Sequence, residues 1–206
     1  MGKANINEIL DDVKRGHPII ILDDKDRENE GDVLIAAEKA NRDNLLFYIR
    51  NVKGMMYVPC SGEILDRLEI PLMMPDINGN KSLTPYAIPV DAVSGSTGVS
   101  IDDRLKTLGV LLDENSTPDQ LHRPGHTHLL RARKGLLGER RGHTEASIEL
   151  LRLAGLKEIA VISEAMNNNG YMIKGDEIDV FAKAHNLKYT TVEDIYKHIY
   201  NGHNSG

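Results

Sequence analysis

The chain has 206 residues, with 25 Lys and Arg against 31 Asp and Glu and a formal net charge of −6. That balance excludes a general nucleic-acid or anionic-membrane binder, which carries a basic footprint, but it allows a small anionic substrate at a locally basic site. Cys60 is the single cysteine, so neither an intramolecular disulfide nor a cysteine-rich zinc site can form, and the length suits one domain over residues 1–206 with a sizeable core.

In chain order, Ile6, Ile9, Leu10 and Val13 predict a helix that Gly16 ends. The apolar runs 18–22 and 33–37 predict buried strands on either side of an acidic loop. Leu45, Leu46, Ile49 and Val52 mark a second helix closed by Gly54, and Met55 to Val58 a short strand. The stretch 70–89 is rich in Pro, Asn, Gly and Met without periodicity, as expected of a lid or mobile segment. Ser100-Ile101-Asp102-Asp103 predicts a capping box opening a helix with Leu105, Leu108 and Leu111. Thr144 is expected to cap a helix carrying Ile148, Leu151 and Leu153 that Gly155 closes, Ile159 to Ile162 is a strand, and Thr191 opens a last helix with Ile195 and Ile199. Alternating strands and helices predict a layered α/β (α+β) fold with a mixed sheet flanked by helices. The irregular strand spacing does not assure a plain doubly wound sheet.

Between Asp23 and Asp32 the chain places six carboxylates in ten residues: Asp23, Asp24, Asp26, Glu28, Glu30 and Asp32. In extended backbone the last five would share a face and repel one another unless a cation relieves them. A solvated surface loop is the alternative. A helix-loop-helix calcium site fails, because its twelfth position, which requires Glu, falls on Ala37.

Downstream, Arg140-Arg141-Gly142-His143-Thr144 begins a helix, where unpaired N–H groups and the dipole favour phosphate and Arg adds charge-assisted hydrogen bonds. An ordinary capped helix with surface arginines is the plainer reading. Ser94-Gly95-Ser96-Thr97-Gly98 is a weaker candidate cradle, without the Gly-Lys-Ser/Thr ending of a nucleotide loop. His126 and His128, at i and i+2, would share a strand face. Glu164 follows a buried strand beside the turn 167–170, placed either for active-site work or to cap that turn. His17, His122, His185, His198 and His203 have no partner pattern.

Taken together these segments resemble the 3,4-dihydroxy-2-butanone 4-phosphate synthase family of riboflavin biosynthesis. The matching pieces are Asp23-Asp24, Asp26 to Asp32, Ser96 to Ser100 with Asp103-Arg104, Arg123 to His126, Arg141 to Ala146, Leu153 to Leu156, and Glu164 with the turn 167–170. They run in order from about residue 6 to residue 200. The resemblance implies a lyase converting D-ribulose 5-phosphate to formate and L-3,4-dihydroxy-2-butanone 4-phosphate with Mg²⁺ or Mn²⁺, in a compact layered homodimer. Carried over residue by residue, it implies Glu28 and His143 as metal ligands and Arg27, Asp32 and Thr97 as substrate contacts. Arg140, Arg141, Gly142 and Thr144 would grip the phosphate. Asp32 or Glu30 would take an early proton, and His126 and Glu164 would serve later steps, with Glu28, His143 and Glu164 also touching substrate.

The chain departs from the family at Tyr57, where a cysteine is common, at His128-Leu129, which replaces an aromatic-Pro pair, and in the loop 74–85. A fused GTP cyclohydrolase II would need a cysteine-based zinc site, so the stand-alone form is expected. A different sugar-phosphate isomerase or aldolase, or a non-catalytic sugar-phosphate binder, are the rival readings. With no signal peptide, myristoylation pattern or membrane-length apolar stretch, a cytoplasmic protein without membrane or nucleic-acid partners is expected.

Overall fold

Apolar runs with no polar alternation belong where both faces of a strand are covered, and the first of them sets the plan of the molecule. The computed structural model describes residues 2–74 and 83–200. In it β1 (Ile19–Leu22) sends Ile19 and Ile21 into one apolar cluster and Ile20 into another, on opposite faces of the sheet. The remaining strands are β2 (Gly31–Ala36), β3 (Lys53–Cys60), β4 (Val90–Ala92), β5 (Leu121–Arg131), β6 (Ala160–Ala165) and β7 (Lys188–Thr191). They form one seven-stranded sheet in the order β4-β5-β3-β6-β2-β1-β7. The β1/β7 and β3/β5 pairs are parallel and the others antiparallel, so the sheet is mixed, as the irregular spacing implied.

One face is covered by α1 (Ile6–Arg15), α5 (His143–Ala154) and α7 (Val192–Tyr200), which bury Ile9, Leu150, Leu151 and Ile195 against Ile21, Leu34 and Ile162. The other is covered by α2 (Arg42–Phe47), α3 (Gly62–Arg67), α4 (Ile101–Leu112) and α6 (Glu177–Ala184), through Leu45, Leu65, Leu108, Leu111 and Phe181. Gly16 and Gly155, both left-handed, end α1 and α5 as expected. Thr191 Oγ1 accepts from Asp194 N–H at 3.0 Å at the start of α7.

Several local expectations are corrected. The second helix continues from α2 as a π-helical turn, Tyr48–Val52, and Lys53 (φ 74°) ends it rather than Gly54. Gly54 lies in β3, where an added Cβ would meet the Glu164 carbonyl oxygen at 2.3 Å, so β6 rather than a helix end requires the glycine. Thr144 is not a cap: Gly142 is the N-cap of α5 and no side chain caps it. Leu153 is partly exposed, and Leu150 with Leu151 forms the buried stripe. Part of the expected lid, 75–82, and His203 lie outside the described residues. Among the described residues no helix is long and apolar enough to cross a membrane.

Candidate active site

The two central strands bring the acids together. Asp32, the second residue of β2, pairs directly with Glu164 on β6, and strand alternation places both on the sheet face that carries Leu34 and Ile162. α5 covers that face only from His143 onward, so its N-terminus stops over the acid pair. A cavity opens there, lined by Arg27, Glu28, Asp32, Tyr57, Thr84, Tyr86, Arg140, His143, Thr144 and Glu164, with Leu130 and Ile162 as its floor.

The acidic segment does not run extended. Residues 25–28 form a turn and Asn29 takes φ 54°, so the five alternating carboxylates do not share a face, and only Glu30 and Asp32 keep strand spacing. Asp23, buried at the end of β1, holds the turn: one Oδ2 accepts from Arg27 Nη1 at 2.6 Å and from Glu28 N–H at 3.1 Å. Arg27 also pairs with Glu28 at 2.9 Å. Neutralisation by Arg27 and Arg141 takes the place of a cation for much of the segment, with Asp24 at 3.1 Å from Arg141. Asp26 is exposed.

His143 Nδ1 lies 3.5 Å from Asp32 Oδ2 and 4.0 Å from Glu28 Oε2. Glu28 and His143 are therefore on the same side of the molecule, although 115 residues apart in sequence (143 − 28). A carboxylate and an imidazole this close would together be able to hold one divalent cation. Buried His143 Nε2 and Asp32 Oδ1 have no hydrogen-bond partner, the open valences that a ligand would fill. Among the described residues no three His, Cys, Asp or Glu side chains converge into a complete metal shell. A carboxylate and an imidazole, with water or substrate completing the shell, nevertheless suit Mg²⁺, which keeps several non-protein ligands.

Electrostatics divide the acids. Burial pushes the Glu164 carboxyl up to about 7, with the charges of Asp32 and Glu30 adding and His143 opposing. Burial also raises Asp32, and the facing His143 pulls it back. Glu30 turns toward Lys174, 2.9 Å away, and does not line the cavity.

At the anion-binding end, Arg140 is buried, donating from Nη1 to Glu145 Oε2 at 2.6 Å and from Nη2 to Thr84 Oγ1 at 2.8 Å. Arg141 does not line the cavity. It is strapped to Glu193 and Asp24 and lies 4.7 Å over the Tyr196 ring. Gly142, as N-cap, lets the chain enter the helix with no side chain across its first N–H groups.

The structure does not bring Thr97 or His126 to this cavity. Both lie near the β4–β5 edge, where His126 bonds Asp91 and Thr97 is exposed. The turn 94–98 is not an open phosphate cradle. Asp103 fills it from within, accepting from Ser96 N–H at 2.9 Å and from Ser96 Oγ at 2.7 Å. His126 and His128 sit two residues apart on β5 as expected, and His128 packs edge-on to Tyr57 at 6.2 Å.

Sequence reasoning missed the turn-holding role of Asp23 and the place of Tyr57, Thr84 and Tyr86 in the cavity. Tyr57 carried a signal, because its place in β3 puts it on the face of Leu130 and Ile162 once register is known. Thr84 and Tyr86 come from a segment without periodicity and carried none. A roomier depression at the other end of β1, between Arg15, His17, Phe47 and His185, contains none of the expected site residues.

Residues 7–198 match the 3,4-dihydroxy-2-butanone 4-phosphate synthase family. A protein of that name from Hamiltonella defensa is 39% identical over 197 residues, covering 95% of this chain and 89% of that protein. The monofunctional riboflavin biosynthesis protein RIBA 2 of Arabidopsis thaliana is 38% identical over 199 residues, 96% of this chain but 42% of that longer protein. A solved 3,4-dihydroxy-2-butanone 4-phosphate synthase in complex with two magnesium ions superposes with a TM-score of 0.88 at 35% identity, covering 98% of this chain and 100% of that one.

Proposed function

The chain belongs to the 3,4-dihydroxy-2-butanone 4-phosphate synthase family of riboflavin biosynthesis, and from that premise we propose that it is a lyase that converts D-ribulose 5-phosphate to L-3,4-dihydroxy-2-butanone 4-phosphate and formate. The observation that carries this reading is the meeting of Glu28, Asp32, Glu164 and His143 under the uncapped start of α5, in one cavity with Arg27 and Arg140.

The phosphate end of the substrate is held by the first N–H groups of α5, Thr144 and Arg140, where helix dipole and guanidinium add. Arg27, fixed by Asp23, faces the sugar from the acidic turn. Glu28 and His143 hold the divalent ion, Mg²⁺ with Mn²⁺ as substitute, which supplies Lewis-acid stabilisation of negative charge on the sugar oxygens. Asp32 removes the first proton beside the ketone; of Asp32 and Glu30 it is the one lining the cavity. Glu164 exchanges protons in the later steps, since a carboxyl brought near neutrality can both accept and donate.

His126 and Thr97 then serve the cavity of a second copy. They lie toward one edge of the molecule with Asp91, while exposed Met73, Met74 and Leu83 line a depression that shares Thr84 and Tyr86 with the cavity. An apolar depression of that kind favours a partner surface, and a homodimer gives each copy one cavity and one donated edge.

The decisive assay incubates the protein with ribulose 5-phosphate and Mg²⁺, with and without chelator, and measures formate. Stoichiometric formate that stops on chelation is expected; an aldose product without formate sinks the proposal in favour of an isomerase. For the dimer, E28Q and H126A chains, each inactive alone, should on mixing recover about a quarter of wild-type turnover through heterodimers with one intact site. No recovery from chains that exchange subunits would overturn the shared-site arrangement.

A further inference from the structure

Of the two arginines in the 140–144 motif, Arg141 is the one the cavity does not use. Its guanidinium lies 4.7 Å over the Tyr196 ring, donates from Nη2 to Glu193 and stands 3.1 Å from Asp24 Oδ2. Tyr196 in turn stacks on Tyr200 at 4.7 Å, and the Tyr200 hydroxyl donates to Glu149 Oε1 at 3.1 Å, which ties α7 to α5. Asp24 is where the acidic turn begins. Its carbonyl accepts from Arg27 N–H at 3.0 Å, and its neighbour Asp23 fixes the Arg27 side chain and the Glu28 N–H. The Arg141–Asp24 pair therefore joins a point four residues before Glu28 to a point two residues before His143. With side chains 38% and 30% exposed, an isolated pair of this kind would carry little weight. The ring and the second carboxylate change that, because they hold the planar fork in place independently of Asp24.

We propose that Arg141 is a positioning residue for the divalent-ion site, a clamp that sets Glu28 against His143 by holding the acidic turn, through Asp24, to the helix pair α5 and α7. The proposal rests on the reading that Glu28 and His143 hold the ion. Charge and position make opposite demands here. A guanidinium near a cation site repels the cation, so its removal tightens binding if charge alone acts. If Arg141 holds the ligands in place, its removal loosens binding, as does the loss of any group that orients metal ligands.

The test titrates the full-length, metal-free protein with Mn²⁺ in the absence of substrate and reads the unbound ion by electron paramagnetic resonance. Wild type is compared with E28Q, R141M, R141K, D24N and R141M/D24N. R141M should bind Mn²⁺ roughly tenfold more weakly, and R141K, which keeps the charge but lacks the planar fork, should recover part of the loss. D24N should weaken binding too, and the double variant should lose much less than the product of the two single losses, since both changes cut one contact. In the formate assay R141M should need more Mg²⁺, while its KM for ribulose 5-phosphate at saturating Mg²⁺ stays within about twofold of wild type. R141K carries the test if R141M does not fold, because its charge is that of wild type. Unchanged or tighter Mn²⁺ binding in the folded Arg141 variants, or a double variant that loses the full product, overturns the clamp while E28Q still binds weakly. Wild-type Mn²⁺ affinity in E28Q removes the metal reading itself, and the clamp with it.

Discussion

Two segments of this protein look alike in sequence: a polar, glycine-bearing turn followed by a twelve-residue helix, α4 in one case and α5 in the other. At α4 the chain answers its own needs. Ser100 accepts from Asp103 N–H, and the Asp103 carboxylate takes both the N–H and the hydroxyl of Ser96. At α5 the N-cap is Gly142, no side chain crosses the first turn, and His143 and Thr144 face a cavity edged with Arg27 and Arg140. A helix start attracts negative charge in either case. What separates a structural turn from a receptive one is whether the chain has already supplied that charge.

The contrast would break first at the metal-binding end of the cavity. E28Q and H143A are expected to lose at least about 100-fold in formate release and to need higher Mg²⁺ for what remains; magnesium titrations of turnover would measure both. A next-largest effect concerns stability. Arg140 and Glu145 form an ion pair with side chains 4% and 0% exposed. R140A leaves a buried carboxylate unpaired and should lower the unfolding free energy by about 3–5 kcal/mol in urea titrations, beside its weakened phosphate grip.

Glu164 sharpens the comparison through pH. Its carboxyl is raised from 4.5 to about 7 in the fold, so the folded protein binds its proton more tightly than the unfolded chain. The stability from this group is full below pH 4.5 and is lost as pH rises through about 7. Metal-free wild type should therefore lose stability across that window and E164Q should not. Added Mg²⁺ should shift the window to lower pH, because a nearby cation favours the carboxylate.

The smallest effect belongs to the self-satisfied turn. Asp103 is held below its ordinary 3.8 by its bonds to Ser96, so the stability it gives is present above that pH and lost in acid. D103N should be less stable than wild type at neutral pH, converge with it in strong acid, and keep KM unchanged. A raised KM would show that this turn, too, meets substrate.

Much of the architecture was legible because burial leaves a direct trace in composition. The runs 18–22 and 33–37 could hardly be anything but covered strands, and Glu28 and His143 were paired by resemblance before geometry brought them together. What escaped was written in tertiary register rather than local pattern. The acidic segment reads as a loop whose alternating carboxylates would share a face if extended, yet Asp23 and Arg27 fold it into a turn. Gly54 reads as a helix stop, yet its missing side chain is demanded by a neighbouring strand. Arg141 reads as a phosphate ligand, yet α7, some fifty residues later, claims it. Thr84 reaches the cavity through a bond to Arg140 that no spacing rule anticipates.

Strand β6 stands fourth of seven, with β2 hydrogen-bonded along one side and β3 along the other. Asp32 and Glu164 are thus anchored in the part of the backbone that opens last, whereas the turn 25–28 and the β4 edge lie where opening is easiest. Amide hydrogen exchange should find this gradient, slow at residues 32–35 and 161–164 and fast in the turn and at the edge. Substrate can then come and go by fluctuations of the periphery, while the two acids keep their spacing throughout the cycle.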